Sequence, residues 1–385
     1  LKTNKFDIII AGGGLSGLSL AWYLARGGYK GDVLVADETF APNNQKTWCF
    51  WTKDKPPFYE LVYKTWRKAF VSVLDFDAYL YMKDYNYYCI RESDFKEHVL
   101  RELRNHKNFK LLEEPILDFS SNKNKAVMIT KSSDTYLADY IFQSIFKPDE
   151  LNEKKVKYPL VQHFHGLEIK TNRPVFDSET FIMMDFDESF TKGPAFMYIL
   201  PYKADQGLIE FTVFSEEPLK KKKKYRKRIY KYLKEKYGLE KSDFKVKRKE
   251  YGEIPMEHRP YTPNYSTKVI NLGTMGGLTK PSTGYTFKRV QKHSRKLAES
   301  LINNTKIALP PKSDFRYRYY DLLLLHIMST SNEESLRVFR DLFKKNHIDQ
   351  IFDFLSEESS FMEDLKIMSS VPYTPFFKAI AKNIV

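Results

Sequence analysis

The first residues with a chemical signature are Gly12-Gly13-Gly14-Leu15-Ser16-Gly17, which satisfy the spacing G-x-G-x-x-G. They follow an apolar run, Phe6 to Ala11, and precede a helical pattern, Leu18 to Arg26. Glycine at these places lets the chain turn tightly, brings a diphosphate close to the backbone and packs helix on strand. Free N–H groups and the dipole at the helix end then favour the anion. Asp37 closes a second apolar run, Val33 to Asp37, where an acid that binds ribose hydroxyls is expected. Gly12, Gly14, Gly17 and Asp37 are therefore candidate dinucleotide ligands. A glycine turn also occurs without any ligand, but here strand, helix and acid all accompany it.

A second glycine-rich stretch runs from Asn271 to Tyr285 and follows the apolar run Val269 to Leu272. Its Gly273, Gly276, Gly277, Thr283 and Gly284 are candidates to present backbone N–H groups to the same ligand. Arg91, leading a helix that carries Phe95, Val99 and Leu100, resembles the second FAD contact of flavin hydroxylase-like folds. It is equally an ordinary surface arginine ahead of a helix. In that fold a Gly-Asp pair holds the ribityl chain, whereas here the pair is Gly273-Thr274.

These residues need elements to position them. Strand, turn, helix and strand at the start form a βαβ opening of the doubly wound type. A helix is expected over Ser93 to Leu103 with Ser93 as its N-cap. Short alternating runs follow at Lys110 to Leu112, Ala126 to Thr130 and Tyr140 to Ile145. From Tyr158 to Phe214 the pattern is one of strands, including Thr180 to Asp185, Ala195 to Leu200 and Gly207 to Phe214. A helix is expected from Thr283 to Leu301, and the remainder, Tyr317 to Val385, is helical and rich in phenylalanine. The fold class expected is α/β: a Rossmann-type FAD-binding domain with an inserted, largely antiparallel β substrate domain and a helical C-terminal part. The division expected is 1–157 for the dinucleotide part, 158–265 for the β-rich part with its basic helix, 266–310 for the return, and 311–385 for the helical part.

Four segments in order are similar to motifs of the lycopene cyclases. Gly273 to Tyr285 resembles G-x-x-G-G-x-x-x-P-S-T-G-Y, Lys46-Thr47-Trp48-Cys49-Phe50-Trp51 resembles T-W-x-F, Leu208-Ile209-Glu210-Phe211-Thr212 resembles F-L-E-E-T, and Glu250 to Met256 resembles E-x-G-x-I-P-M. The resemblance extends from Phe6 to about Phe377, with a tail reading Ile367-Met368-Ser369-Ser370. It implies FAD, active in its reduced form with NAD(P)H as a possible electron donor. It also implies a net non-redox cyclisation of linear end groups of lycopene or a related carotenoid to a β-ionone ring.

On that resemblance Glu210 matches the first acid of F-L-E-E-T, and Phe211 stands where the second acid would be. A glutamate that protonates an alkene must be raised above its usual pKa of about 4.3 by apolar surroundings. Glu210 is the catalytic candidate, with Glu250 and Asp185 as weaker ones. By alternation with Ile209 and Phe211, Glu210 can equally be an outward-facing strand residue. Lys280 can face a reduced flavin or simply lie on the surface. A rival activity on the same fold is that of an FAD-dependent prenyl-chain reductase or monooxygenase acting on a lipophilic substrate.

The net charge of +14 is concentrated between Lys220 and Lys249, with sixteen Lys or Arg against three acids. Tyr225, Ile229, Tyr232, Leu233 and Tyr237 recur beneath those charges at helical spacing. The segment is either a dock for anionic lipid or a solvated helix whose stripe packs inward. No nucleic-acid fold accompanies it, so no nucleic-acid partner is expected. Cys49 and Cys89 are expected to be reduced thiols, and the histidines show no metal spacing. Neither a leader nor a spanning helix is expected. The expected setting is cytoplasmic, peripheral to the inner face of a membrane, with other carotenoid enzymes as possible partners.

Overall fold

Ile8, Ile9 and Ile10 are all buried, as a strand with both faces covered requires. In the computed structural model, which describes residues 4–41, 46–145 and 156–383, that strand is Asn4–Ala11. It pairs in parallel with Val33–Asp37 on one side and Thr135–Gln143 on the other. Phe109–Glu113 extends the sheet beyond Val33–Asp37, and Val269–Asn271 joins it in parallel beside Thr135–Gln143. The strands Ile116–Ser121 and Ala126–Thr130 form an antiparallel meander leading into Thr135–Gln143. The helix Leu15–Arg26 rises from the glycine turn and packs on the late helix Phe287–Ile302.

A seven-stranded sheet stands beside this one. Its order is Phe244–Met256, Leu160–Thr171, Gln206–Ser215, Ala195–Lys203, Thr180–Phe186, Lys68–Val73, Phe76–Tyr81. All its pairs are antiparallel except Thr180–Phe186 with Lys68–Val73. The sheet thus draws strands from both sides of residue 157. A three-stranded sheet of Thr47–Thr52, Asn86–Arg91 and Val62–Trp66 links the two. Cys49 and Cys89 face each other across it as free thiols.

Several expected boundaries shift for local reasons. Ser93 is not the N-cap of its helix, which runs Glu92–Arg104. The strand Asn86–Arg91 leads straight into it, so extended Arg91 takes the cap position and Glu92 and Asp94 complement the dipole. The late helix begins at Phe287 and not at Thr283. Gly284 has φ +72°, outside helical space, and the Thr286 hydroxyl donates to the Gly284 carbonyl at 2.9 Å. The C-terminal part is helical from Phe315 through Asn383, in segments Phe315–Thr330, Asn332–Lys345, Ile348–Leu355, Phe361–Ser370 and Tyr373–Asn383; the last two residues of the expected range lie outside the described ones.

The basic segment forms a helix, Lys222–Tyr237, whose buried face is Tyr225, Ile229 and Leu233. That stripe packs on Ile209, Phe211 and Val213 of the sheet, so its apolar side is used internally. A hydrogen-bond chain pins the helix start. Leu219 N–H donates to the Tyr225 hydroxyl (3.0 Å), which donates to His163 Nδ1 (2.7 Å), while His163 Nε2 donates to Ser215 Oγ (2.7 Å) and Ser215 donates to the Glu217 carbonyl (2.8 Å). This chain satisfies a neutral imidazole only. Burial lowers the His163 pKa to about 4. The unfolded chain therefore binds the proton first as pH falls below about 6.5, and stability declines until about pH 4. Denaturant titrations at pH 7, 6, 5 and 4 should show this decline, and His163→Gln should make it shallower.

Candidate functional site

Along Gln206–Ser215 every inner position is buried, so neither face of the strand meets solvent. The odd residues lie under the basic helix, and Leu208, Glu210, Thr212 and Phe214 point the other way, into a cavity of about 840 Å³. Glu210 is thus no outward-facing residue: it is 6 % exposed and lines this cavity.

Register supplies its partner. Gly166 on the strand Leu160–Thr171 stands opposite Glu210 on one side and opposite Glu250 on the other. A Cβ at Gly166 would lie 2.8 Å from Cγ and Oε1 of Glu210, so the Glu210 side chain lies across the space that Gly166 leaves open. The second carboxylate, absent at position 211, is brought in from a strand two places away. The two acids are not equivalent. Glu250 accepts from Thr47 N–H (2.7 Å), the Thr47 hydroxyl (2.9 Å) and Arg248 Nη1 (2.9 Å). No hydrogen bond to the Glu210 carboxyl is found among the described residues. Burial pushes Glu210 well above the usual carboxylate range and the Glu250 charge pushes it further, with Arg248 opposing. Burial also raises Glu250, against the pull of Arg248 and Thr47. Glu210 is the member of this coupled pair that keeps the proton.

Arg248 comes from within the lysine run, yet its side chain is only 9 % exposed. Burial disfavours its charge, but Glu250 and Glu168 overcome this and hold it cationic. Its Nε donates to Glu168 (3.0 Å), and Glu168 also accepts from Arg91 (2.9 Å) and Gln206 (2.7 Å). Arg91 sits 3.6 Å from the centroid of the Tyr63 ring and does not line the cavity. It belongs instead to the chain of charges behind Glu250. Asp185 also lies away from the cavity, accepting from the Tyr232 hydroxyl at 2.6 Å and tying the basic helix to the sheet. Lys280 is neither on the surface nor in the cavity. It is buried on Asp321 (2.8 Å) and Glu357 (3.0 Å), where it fastens the C-terminal helices to the second glycine turn.

Beyond Glu210 the cavity is aromatic. The Tyr87 hydroxyl meets those of Tyr198 (2.8 Å) and Tyr285 (3.1 Å), and burial raises all three phenols so that they stay neutral. Trp48, Phe164, Phe196 and Phe287 complete the wall. Sequence reasoning missed Gly166, Arg248 and the tyrosines. Gly166 carried a signal, since a lone glycine within a strand marks a close approach. Arg248 carried none, being one cation among sixteen.

The same cavity reaches Gly12, Gly14, Asp37, Gly273, Thr283 and Gly284, so the two glycine turns and the acid pair share one space. The turns nearly touch: a Cβ on Gly273, at φ +58°, would strike Ser16. Gly12, at φ +111°, has Ser144 in the same role, and Gly17 packs against the Gly12 carbonyl. Gly14 differs, because a Cβ there would meet nothing within 4 Å. The space before it, at a helix N-terminus, suits a diphosphate. Asp37 accepts from Gly13 N–H and from Thr39 N–H (3.0 Å) and lines the cavity. These residues fit a dinucleotide. Gly276 and Gly277 shape the second turn without lining the cavity. Among the described residues no cluster suits a metal ion, and no helix is long and apolar enough to cross a membrane.

Residues 7–381 match the family model described as lycopene cyclase protein. The chain belongs to the lycopene cyclase family. No curated protein sequence matches it closely enough to count as a relative. Among solved structures it is similar to a geranylgeranyl bacteriochlorophyll reductase-like protein from Thermoplasma acidophilum, at 13 % identity and TM-score 0.59 over 100 % of this chain and 97 % of that one. It is similar to p-nitrophenol 4-monooxygenase from Pseudomonas putida DLL-E4, at 12 % identity and TM-score 0.57 over 99 % of each. It is also similar to the L111Y mutant of the halogenase PltM in complex with FAD, at 14 % identity and TM-score 0.59 over 98 % of this chain and 86 % of that one. Family membership marks an enzyme, and the structural likeness shows its fold to be that of these flavoproteins.

Gly14 offers a test that spares the fold, since its φ of −89° is open to any residue and its Cβ direction is empty. Gly14→Val should leave the thermal midpoint of the cofactor-free protein nearly unchanged while abolishing flavin uptake, read by absorbance after reconstitution. Gly17→Val should instead unfold the turn.

Proposed function

We propose that this lycopene cyclase family member closes a ring on the linear end group of a carotenoid, without net oxidation, by acid catalysis from Glu210. The observation that carries this reading is the buried Glu210, accepting no hydrogen bond among the described residues and lying beside Glu250 in an aromatic space continuous with the dinucleotide turns. The Glu210 carboxyl donates its proton to the terminal alkene, leaving a tertiary cation. A neighbouring double bond attacks that cation and closes the ring. A proton then leaves the adjacent carbon for the acid pair, so product and substrate are isomers.

The residues serve each requirement. Tyr87, Tyr198 and Tyr285 line the space with neutral aromatic rings that favour a positive charge nearby. Phe196, Leu208 and Phe214 exclude the water that would quench it. Glu250, held by Arg248 and Thr47, keeps Glu210 protonated at rest, and the Arg248 charge moderates the Glu210 carboxylate after transfer. Gly12, Gly14 and Asp37 would hold the diphosphate and ribose of FAD, with Gly273, Thr283 and Gly284 on its other side. Reduced FAD, with NAD(P)H as a possible electron donor, would supply negative charge that steadies the cation. A carotenoid is insoluble in water, so the enzyme works as a peripheral protein at an anionic membrane surface on the cytoplasmic side.

Glu210→Gln should lower cyclisation by on the order of 10²–10⁴-fold, the usual contribution of a general acid, with flavin content unchanged. Wild-type rates of this variant would discard the role. The active form is the protonated one, so activity should fall as pH rises through the Glu210 pKa. Glu250→Gln removes the neighbouring negative charge and should move that alkaline limb to lower pH. Product mass separates this reading from reductase or monooxygenase chemistry, because a cyclised product keeps the mass of its substrate.

A further inference from the structure

A second cavity, of about 400 Å³, lies behind Tyr285. It shares Tyr285, Thr286 and Phe287 with the first. Trp51 meets the Tyr285 ring edge-on at 4.3 Å between centroids, and Phe50 stacks on Phe287 at 4.2 Å. Between the two spaces there is one layer of aromatic side chains. On the far side the walls include Ala308, Leu309, Pro311 and Leu355.

The mouth of this second cavity is cationic. Lys288, Lys292 and Lys296 recur at four-residue intervals along one side of the helix Phe287–Ile302, and Lys312 also lines the space. Lys288 is paired with Glu358 at 2.8 Å. Lys292, Lys296 and Lys312 are exposed and form no ion pair among the described residues. Exposed lysines that line a cavity can lay their hydrocarbon stems along its wall and keep their ammonium groups in water.

Bulky apolar side chains are exposed on the segments that follow Ser313 and Glu358 of this lining. Phe315 is 73 % exposed, Phe361 56 % and Met362 72 %. Arg316 and Tyr317 both donate to the Ser359 carbonyl at 2.8 Å, which holds the segments carrying these residues together beside Ser313 and Glu358 of the cavity. Exposed large apolar groups next to unpaired lysines make a surface suited to a lipid interface. The helix Lys222–Tyr237 lacks that combination, because its apolar stripe is packed on the sheet.

We propose that the mouth of the second cavity is the surface by which the protein docks on an anionic bilayer, and that the cavity takes the apolar chain of a lipid-dissolved substrate. The end group of that substrate reaches Glu210 past Tyr285, whose hydroxyl is held by Tyr87 at 3.1 Å. Its identity as a polyene rests on the cyclisation reading, but the docking surface does not.

Sedimentation with vesicles of phosphatidylcholine and phosphatidylglycerol at low salt tests the surface. The variant K292E/K296E/K312E should bind on the order of a hundredfold more weakly, following about fivefold per lysine near an anionic surface. F361S/M362S should also lose binding, and K221E/K223E/K227E on the basic helix should lose much less than either. The opposite ranking, or a wild-type protein that ignores these vesicles, overturns the docking surface. Leu309→Trp narrows the cavity at a half-exposed position. It should raise KM for vesicle-borne carotenoid several-fold while kcat and flavin content stay as in wild type, and an unchanged KM overturns the passage. Absence of any cyclised product from wild type would remove the cyclisation reading and leave the vesicle result standing.

Discussion

A carboxyl group that holds its proton above the usual carboxylate range must be shut away from water, and this one requirement governs the arrangement around Glu210. A strand in an ordinary half-exposed sheet places alternate residues in solvent. Here the basic helix covers one face with Tyr225, Ile229 and Leu233, and the other face looks into the aromatic part of the cavity. Glu210 can therefore be buried on a strand whose neighbours Ile209 and Phe211 are buried as well.

Burial alone would leave an unpaired polar group in a costly place, so the surroundings divide the charge unevenly. Glu250 receives three donors and Glu210 none among the described residues, although the two are close enough to couple. Gly166 makes the approach possible, since any side chain there would occupy the position of the Glu210 carboxyl. Behind Glu250, Arg248, Glu168 and Arg91 alternate in sign across three elements. This alternation holds a buried cation in place by geometry and lets Glu250 remain the charged partner.

The C-terminal helices complete the enclosure from the far side. Phe352 stacks on Trp51 at 4.4 Å, and Ser356 accepts from the Trp51 indole at 2.8 Å. Lys280 joins Asp321 and Glu357 to the loop that carries Thr283 and Gly284. Both glycine turns, the acid pair and the aromatic wall are thereby held in one space by contacts between segments from 41 to 305 residues apart.

The amino-acid sequence by itself determined the elements whose signals are local. The run of isoleucines and the G-x-G-x-x-G turn define the opening strand and helix, Asp37 ends the next strand, and the alternation around Glu210 defines a strand because apolar periodicity needs no distant partner. The start of the late helix is not legible in the sequence, since only the positive φ of Gly284 and the bond from Thr286 reveal the delay. The acid pair, the burial of Arg248 and Lys280, and the removal of Arg91 and Asp185 from the cavity were decided by tertiary structure. Each depends on strand register or on which helix covers which face, and register is set by pairing between residues that the sequence keeps far apart.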